Sequence, residues 1–140
     1  MNIKIKKDVD ELIAEAEAAI LTLSTQEAIK RHNDQDDQDI VFVDIRDIRE
    51  LQRDGTIPGS IHAPRGMLEF WFDPKSKYHK KVFSDENKTY VLFCAAAGRA
   101  ALATKTLQDM GFLNVAHFSA GFRGWKESGG SVQLVKKNTK

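Results

Sequence analysis

Thr89-Tyr90-Val91-Leu92-Phe93-Cys94-Ala95-Ala96-Ala97-Gly98-Arg99 runs from strand-forming residues into a tight turn of small ones. A helical pattern follows from Ala100 to Met110, and Gly111 is a plausible helix-ending glycine. The order strand, short turn, helix is that of an α/β unit, and it puts a thiol at the junction. Cys94 is the only cysteine in the chain. Unpaired backbone N–H groups and the positive end of a helix dipole favour an anionic sulfur. The thiolate is the nucleophilic form, so this position predicts a one-cysteine active site. The bland alternative is a buried, inert cysteine closing a strand, a common fate for a free thiol.

Outward from this stretch, short strands alternate with helices. Ile40-Val41-Phe42-Val43 is a continuous apolar run, as expected of a parallel strand covered on both faces. It ends at Asp44, for which helix capping is the simplest role, and Ile48 and Leu51 mark a short helix beyond. Gly55-Thr56-Ile57-Pro58-Gly59 is a turn, Ser60–Ala63 a brief strand, and Pro64-Arg65-Gly66 another break. Met67–Phe72 is unusually aromatic, and Asp73 to Lys88 is polar and loop-like.

Towards the N-terminus, Asp8 and Glu11 open a helix over residues 8–19, with Val9, Leu12, Ile13, Ala16 and Ile20 on one face. Ile20-Leu21-Thr22-Leu23 is a short apolar run that reads as a strand, and Ser24-Thr25-Gln26-Glu27 opens a second helix to about His32. Towards the C-terminus, Asn114 to Phe118 is the last strand and Gly121–Lys126 a closing helix, on which Trp125 is a packing anchor. The pattern predicts an α/β fold: a mainly parallel five-stranded sheet flanked by helices on both faces. Ligands gather at the carboxyl ends of such strands, which places Asp44 and Cys94 near one edge.

The 140 residues suit one domain with a sizeable core. A net charge of +1 gives no support for nucleic-acid binding. No stretch approaches the roughly 18 apolar residues of a membrane span. With one cysteine and no signal-like apolar core after the basic N-terminus, the expected compartment is the reduced cytoplasm. His32, His62, His79 and His117 are isolated, with neither metal-ligand spacing nor a triad, so neither a metal nor a cofactor is expected.

Four blocks in order resemble the rhodanese (sulfurtransferase) superfamily: Val43-Asp44-Ile45-Arg46-Asp47, Ile57-Pro58-Gly59-Ser60-Ile61, the loop Cys94 to Arg99, and Gly121-Phe122 with Trp125. The resemblance covers roughly residues 22 to 130. It implies a rhodanese-like domain over 22–130, a helical extension over 1–21 and a loosely held tail over 131–140. It also implies that Cys94 accepts a sulfane sulfur from thiosulfate or another donor and passes it to cyanide, a thiol or a sulfur-accepting protein. The loop Ala95, Ala96, Ala97, Gly98 and Arg99 would cradle the outer sulfur. Asp44 and Arg46 would support the rim. Arg65 would reach the pocket, and Trp71 is a candidate for its wall.

The loop is Cys-x4-Arg, one residue shorter than the Cys-x5-Arg of phosphatases and arsenate reductases of similar fold. A shorter loop suits a single sulfur atom rather than a tetrahedral oxyanion. The loop departs from the common pattern at Ala95, where many members carry Arg, at Ala97, where Gly is frequent, and at Ala100, where Ser is frequent. Thr56 replaces a familiar His. Ala97 is tolerable only if its backbone avoids positive φ. Losing a cation at position 95 weakens a small-anion site and leaves a second reading open, a partner-dependent docking or sulfur-carrier module.

Overall fold

The computed structural model describes residues 3–137. Five strands form one sheet: β1 (Leu21–Leu23), β2 (Ile40–Asp44), β3 (Ile61–His62), β4 (Thr89–Phe93) and β5 (Val115–Phe118). Their order is β1-β5-β4-β2-β3, and every pairing is parallel. Among the described residues the six α-helices are α1 (Val9–Ala19), α2 (Thr25–Asn33), α3 (Ile48–Asp54), α4 (Leu68–Phe72), α5 (Gly98–Asp109) and α6 (Gly121–Glu127). This is the five-stranded parallel α/β architecture that the strand and helix pattern predicts.

Alternation along the central strands divides the core in two. Val43 of β2 and Tyr90 and Leu92 of β4 face one side, where Leu68 and Phe72 of α4 and Ala100, Ala103 and Leu107 of α5 cover them. Phe42, Val91 and Phe93 face the other, against Ala28 of α2 and Phe122 and Trp125 of α6. Both faces are covered by apolar side chains, which is why β2 and β4 read as unbroken apolar runs. Trp125 is fully buried and its indole N–H donates to the Ser131 carbonyl. Within the stretch read as a tail, Gln133 also exchanges backbone hydrogen bonds with Thr56 in both directions.

Helix α1 forms an outer layer: Ala16, Ile20 and Ile13 pack on Ala101 and Leu102 of α5 rather than on the sheet. Asp8 caps it, its carboxylate accepting from the Glu11 amide at 2.8 Å.

The capping role read for Asp44 belongs instead to Asp47. Asp47 accepts from the first-turn amide of Arg49, and Glu50 reaches back to the Asp47 amide, a reciprocal capping box. Asp44 is still inside β2 and fully buried, three residues too early to cap α3.

A thiol crevice at the strand ends

From β2 the chain steps outward to β3, then returns across β2 to β4 and on to β5. The crevice opens where these directions diverge, at the carboxyl ends of β2 and β4. Three segments are tied together there. The Ile45 amide donates to the Phe93 carbonyl at 3.1 Å, the Ala63 amide to Asp44 at 2.9 Å, and the Arg65 amide to Ile45 at 3.1 Å. This lacing brings Arg65 beside the residue that follows β4.

That residue is Cys94. Its side chain takes the same direction as Tyr90 and Leu92, towards α5, and it is 1% exposed. Helix α5 begins at Gly98, two residues earlier than the pattern suggests, so only Ala95 to Ala97 separate the cysteine from the helix. Ala97 stands at the N-cap and supplies no side-chain cap, leaving first-turn amides to other acceptors. The Ala100 amide donates to the Cys94 Sγ, at 3.4 Å. Ala97 has φ −141°, outside the left-handed region, so the methyl group in place of glycine introduces no strain.

The loop is also held from below by α6. The Phe122 amide donates to the Cys94 carbonyl at 2.8 Å and the Arg123 amide to that of Ala95 at 3.0 Å. The approach is so close that Gly121, at φ +58°, has no room for a side chain. A Cβ there would stand 1.7 Å from the Ala96 carbonyl oxygen and 2.7 Å from that of Cys94.

Arg99 does not point freely into the crevice. Its guanidinium makes a two-pronged pair with Glu50 of α3, at 2.9 and 3.0 Å. Hydrogen bonding to Glu50 holds the guanidinium above its ordinary pKa, and the nearby Cys94 sulfur acts in the same direction. Arg99 in turn holds the Glu50 carboxyl below the usual range. Glu50 thus does two jobs, capping α3 and bracing the first turn of α5. The D-x-x-E spacing of Asp47 and Glu50 is the sequence signal that reveals the first job. Nothing in the sequence reveals the second.

Asp44 and Arg46 lie beneath the rim as a fully buried pair. The Arg46 guanidinium donates to both Asp44 oxygens, at 3.0 and 2.8 Å, and to the Gly55 carbonyl at 2.7 Å. It also stacks 4.4 Å over the Phe122 ring. The Thr56 hydroxyl completes the set by donating to Asp44 at 2.7 Å. Thr56, noted in the sequence only for a missing histidine, is thus an active part of this support.

The crevice has a volume of about 340 Å³ and is lined by Cys94, Ala95, Ala96, Gly98 and Arg99 of the loop and α5, with Arg65. Its remaining walls are Val9 and Ile13 of α1 and Leu102. Trp71 is not among them: Lys80 covers its ring at 3.6 Å, and the ring packs partly against the core. Buried Leu68 and Phe72 turn α4 inward, which carries Trp71 away from the thiol. A larger cavity of about 400 Å³ lies near the opposite ends of β4 and β5, around Phe72, Phe83 and Phe112, and contains none of these groups.

A parallel five-stranded sheet with a lone thiol at the end of its central strand, facing the start of a helix, defines a class of cysteine-loop α/β domains. Comparison narrows it: the rhodanese-like domain matches residues 24–128, and the chain belongs to that family. A mouse thiosulfate sulfurtransferase/rhodanese-like domain-containing protein is 30% identical over 93 residues, 63% of this chain and 59% of that one. The chain therefore spans less than two thirds of that relative. A Rhodopseudomonas palustris protein of unknown function, described as a possible tyrosine phosphatase, superposes with a TM-score of 0.89 at 47% identity, over 95% of this chain and 99% of the other. A polysulfide-sulfur transferase homodimer from Wolinella succinogenes gives 0.65 at 31% identity, over 88% and 85%. Among the described residues, no helix is long and apolar enough to cross a membrane.

Proposed function

We propose that this chain is a sulfurtransferase that carries sulfane sulfur as a persulfide on Cys94. The observation that carries the reading is the placement of Sγ at the end of β4, 3.4 Å from the Ala100 amide and in a crevice shared with Arg65 and Arg99. In the first half-reaction the Cys94 thiolate attacks the sulfane sulfur of thiosulfate. The new bond is Cys–S–S⁻, the sulfur–sulfur bond of the donor breaks, and its electron pair leaves with sulfite. In the second, cyanide or a thiolate attacks the outer sulfur and regenerates the Cys94 thiolate. Neither step changes the net charge or needs an outside oxidant.

First-turn amides of α5 would hold the negative outer sulfur, as helix N-termini hold anions. Arg99, braced by Glu50, would fix the loop, and Arg65 would meet the donor's anionic end. With a single cysteine there is no resolving thiol, so release depends on an external acceptor, either a small thiol or a sulfur-accepting protein. A cytoplasmic site of action suits a thiol that must stay reduced.

The description of the Rhodopseudomonas palustris neighbour favours a second reading, phosphate ester hydrolysis. Six residues from Cys94 to Arg99 inclusive make a narrow cradle for a tetrahedral oxyanion, which weighs against it.

The test is intact mass after incubation with thiosulfate, beside Cys94→Ser. A gain of one sulfur, lost to cyanide as thiocyanate and absent from the variant, is expected. Far-ultraviolet circular dichroism of the variant should be unchanged. Sulfur loading that persists in Cys94→Ser sinks the assignment, and Cys94-dependent turnover of an aryl phosphate would establish the second reading. If loading needs a partner protein, the domain is a carrier or docking module.

A further inference from the structure

The residues matched to the rhodanese-like family begin at 24, yet the thiol crevice is not closed by those residues alone. Val9 and Ile13, from the helix that precedes the matched segment, form part of its wall together with Leu102. The contact is close: a Cβ added at Gly98, the first residue of α5, would meet the Ile13 Cδ1 atom at 2.9 Å. Ile13 therefore rests directly on the first turn of α5, beside the Cys94 loop. Val9, one helical turn earlier, is 59% exposed, so the wall continues outward as hydrocarbon open to a ligand.

The charges at the mouth are arranged unequally. Arg99 is already committed to Glu50 through two hydrogen bonds. Arg65 is exposed and has no carboxylate partner among the described residues. Position 95, next to the thiol, is an uncharged alanine. A small, strongly hydrated dianion would have to lose water against Val9, Ile13, Leu102 and two alanines, with one open cation nearby. Desolvating charge against hydrocarbon is costly, whereas an apolar group buried there gains.

Resting on the reading of Cys94 as a sulfur carrier, we infer that α1 is a specificity element. Val9 and Ile13, with Leu102, select a donor whose sulfane sulfur is borne on an apolar carbon body, of the organic thiosulfonate class, over bare thiosulfate. The terminal sulfur reaches Cys94 past the loop, the anionic sulfonyl oxygens meet Arg65, and the carbon body lies along the α1 wall. The Cys94 thiolate bonds to the sulfane sulfur, the bond from that sulfur to the sulfonyl sulfur breaks, and its electron pair leaves with the sulfinate. One anionic donor and one thiolate give one persulfide anion and one sulfinate.

The experiment measures kcat/KM with benzenethiosulfonate and with thiosulfate, cyanide being the acceptor and thiocyanate the readout. The wild-type protein is expected to prefer the organic donor by about tenfold or more, the equivalent of one well-buried apolar contact. Ile13→Ser and Val9→Ser should each lower that preference, Ile13→Ser by about tenfold. Leu12→Ser, on α1 but outside the crevice wall, should leave the ratio as it is. Val9 is exposed enough that its variant tests the wall even if Ile13→Ser folds poorly. A wild-type ratio near one, or a ratio unmoved in both wall variants, overturns the role of α1 while leaving sulfur transfer standing. No loading from either donor overturns the sulfurtransferase reading itself, and the donor preference with it.

Discussion

At the scale of single residues, two positions beneath the thiol are set by space and by charge. Gly121 combines a positive φ with carbonyl oxygens where a side chain would go. Gly121→Ala should destabilise the protein by about 3 kcal/mol, since the clash and the left-handed backbone both oppose it. It should also weaken sulfur loading by shifting the carbonyls of Cys94 and Ala96. Urea unfolding with a wild-type midpoint would refute the steric argument. Asp44 is different in kind, because its loss leaves the Arg46 charge buried and unpaired. Asp44→Ala should cost about 3–5 kcal/mol in the same assay. The family block around Asp44 and Arg46 marks both residues as support. Their burial, the Thr56 hydrogen bond and the stacking on Phe122 depend on segments far apart in sequence, and these were not legible there.

At the scale of elements, the helices and strands were largely legible because apolar periodicity and end signals agree. Asp8 and Ser24 cap as their spacing predicts, and the doubly covered strands β2 and β4 read as unbroken apolar runs. The departures have local causes. Asp44 looks like a cap because it ends an apolar run, but the real cap is the next aspartate. Helix α5 begins at Gly98 because nothing in Ala97-Gly98 forbids helical geometry, although glycine usually reads as turn. The entry to α6 carries a penalty that pattern reading does not see: Ala120 is in the left-handed region at φ 68°. Ala120→Gly should relieve most of that penalty and stabilise the protein by about 0.5–1 kcal/mol, after the greater freedom of glycine in the unfolded chain is counted. A lower thermal midpoint in this variant would contradict the assigned strain.

For the molecule as a whole, the sheet order fixes which ends meet, and it predicts a dependence of stability on pH. His117 of β5 is fully buried, and its Nε2 is 2.8 Å from the Thr22 hydroxyl while its Nδ1 has no hydrogen-bond partner among the described residues. Burial pushes its imidazole below the ordinary value, with Glu17 opposing weakly. The unfolded chain therefore binds a proton at His117 more readily than the folded one. The neutral histidine contributes stability above about pH 6.5, lost as pH falls below that value towards the folded pKa. Between about pH 7.5 and about pH 5.5 the urea midpoint should fall, and His117→Gln should remove part of the fall. An identical fall in both proteins would assign it to other groups. The sequence places His117 in a strand but cannot show that the strand is covered on both faces. For the same reason the apolar stripe of α1 was visible while its seat on α5 was not. Stripes announce that they are covered, not by what.

That seat has a consequence for how this protein can diversify. The sulfur-bearing turn and the wall formed by Val9 and Ile13 are separated by about eighty residues and contributed by different layers of the molecule. Substitutions on α1 can therefore reshape the crevice wall without touching the strand, turn and helix that hold the thiol.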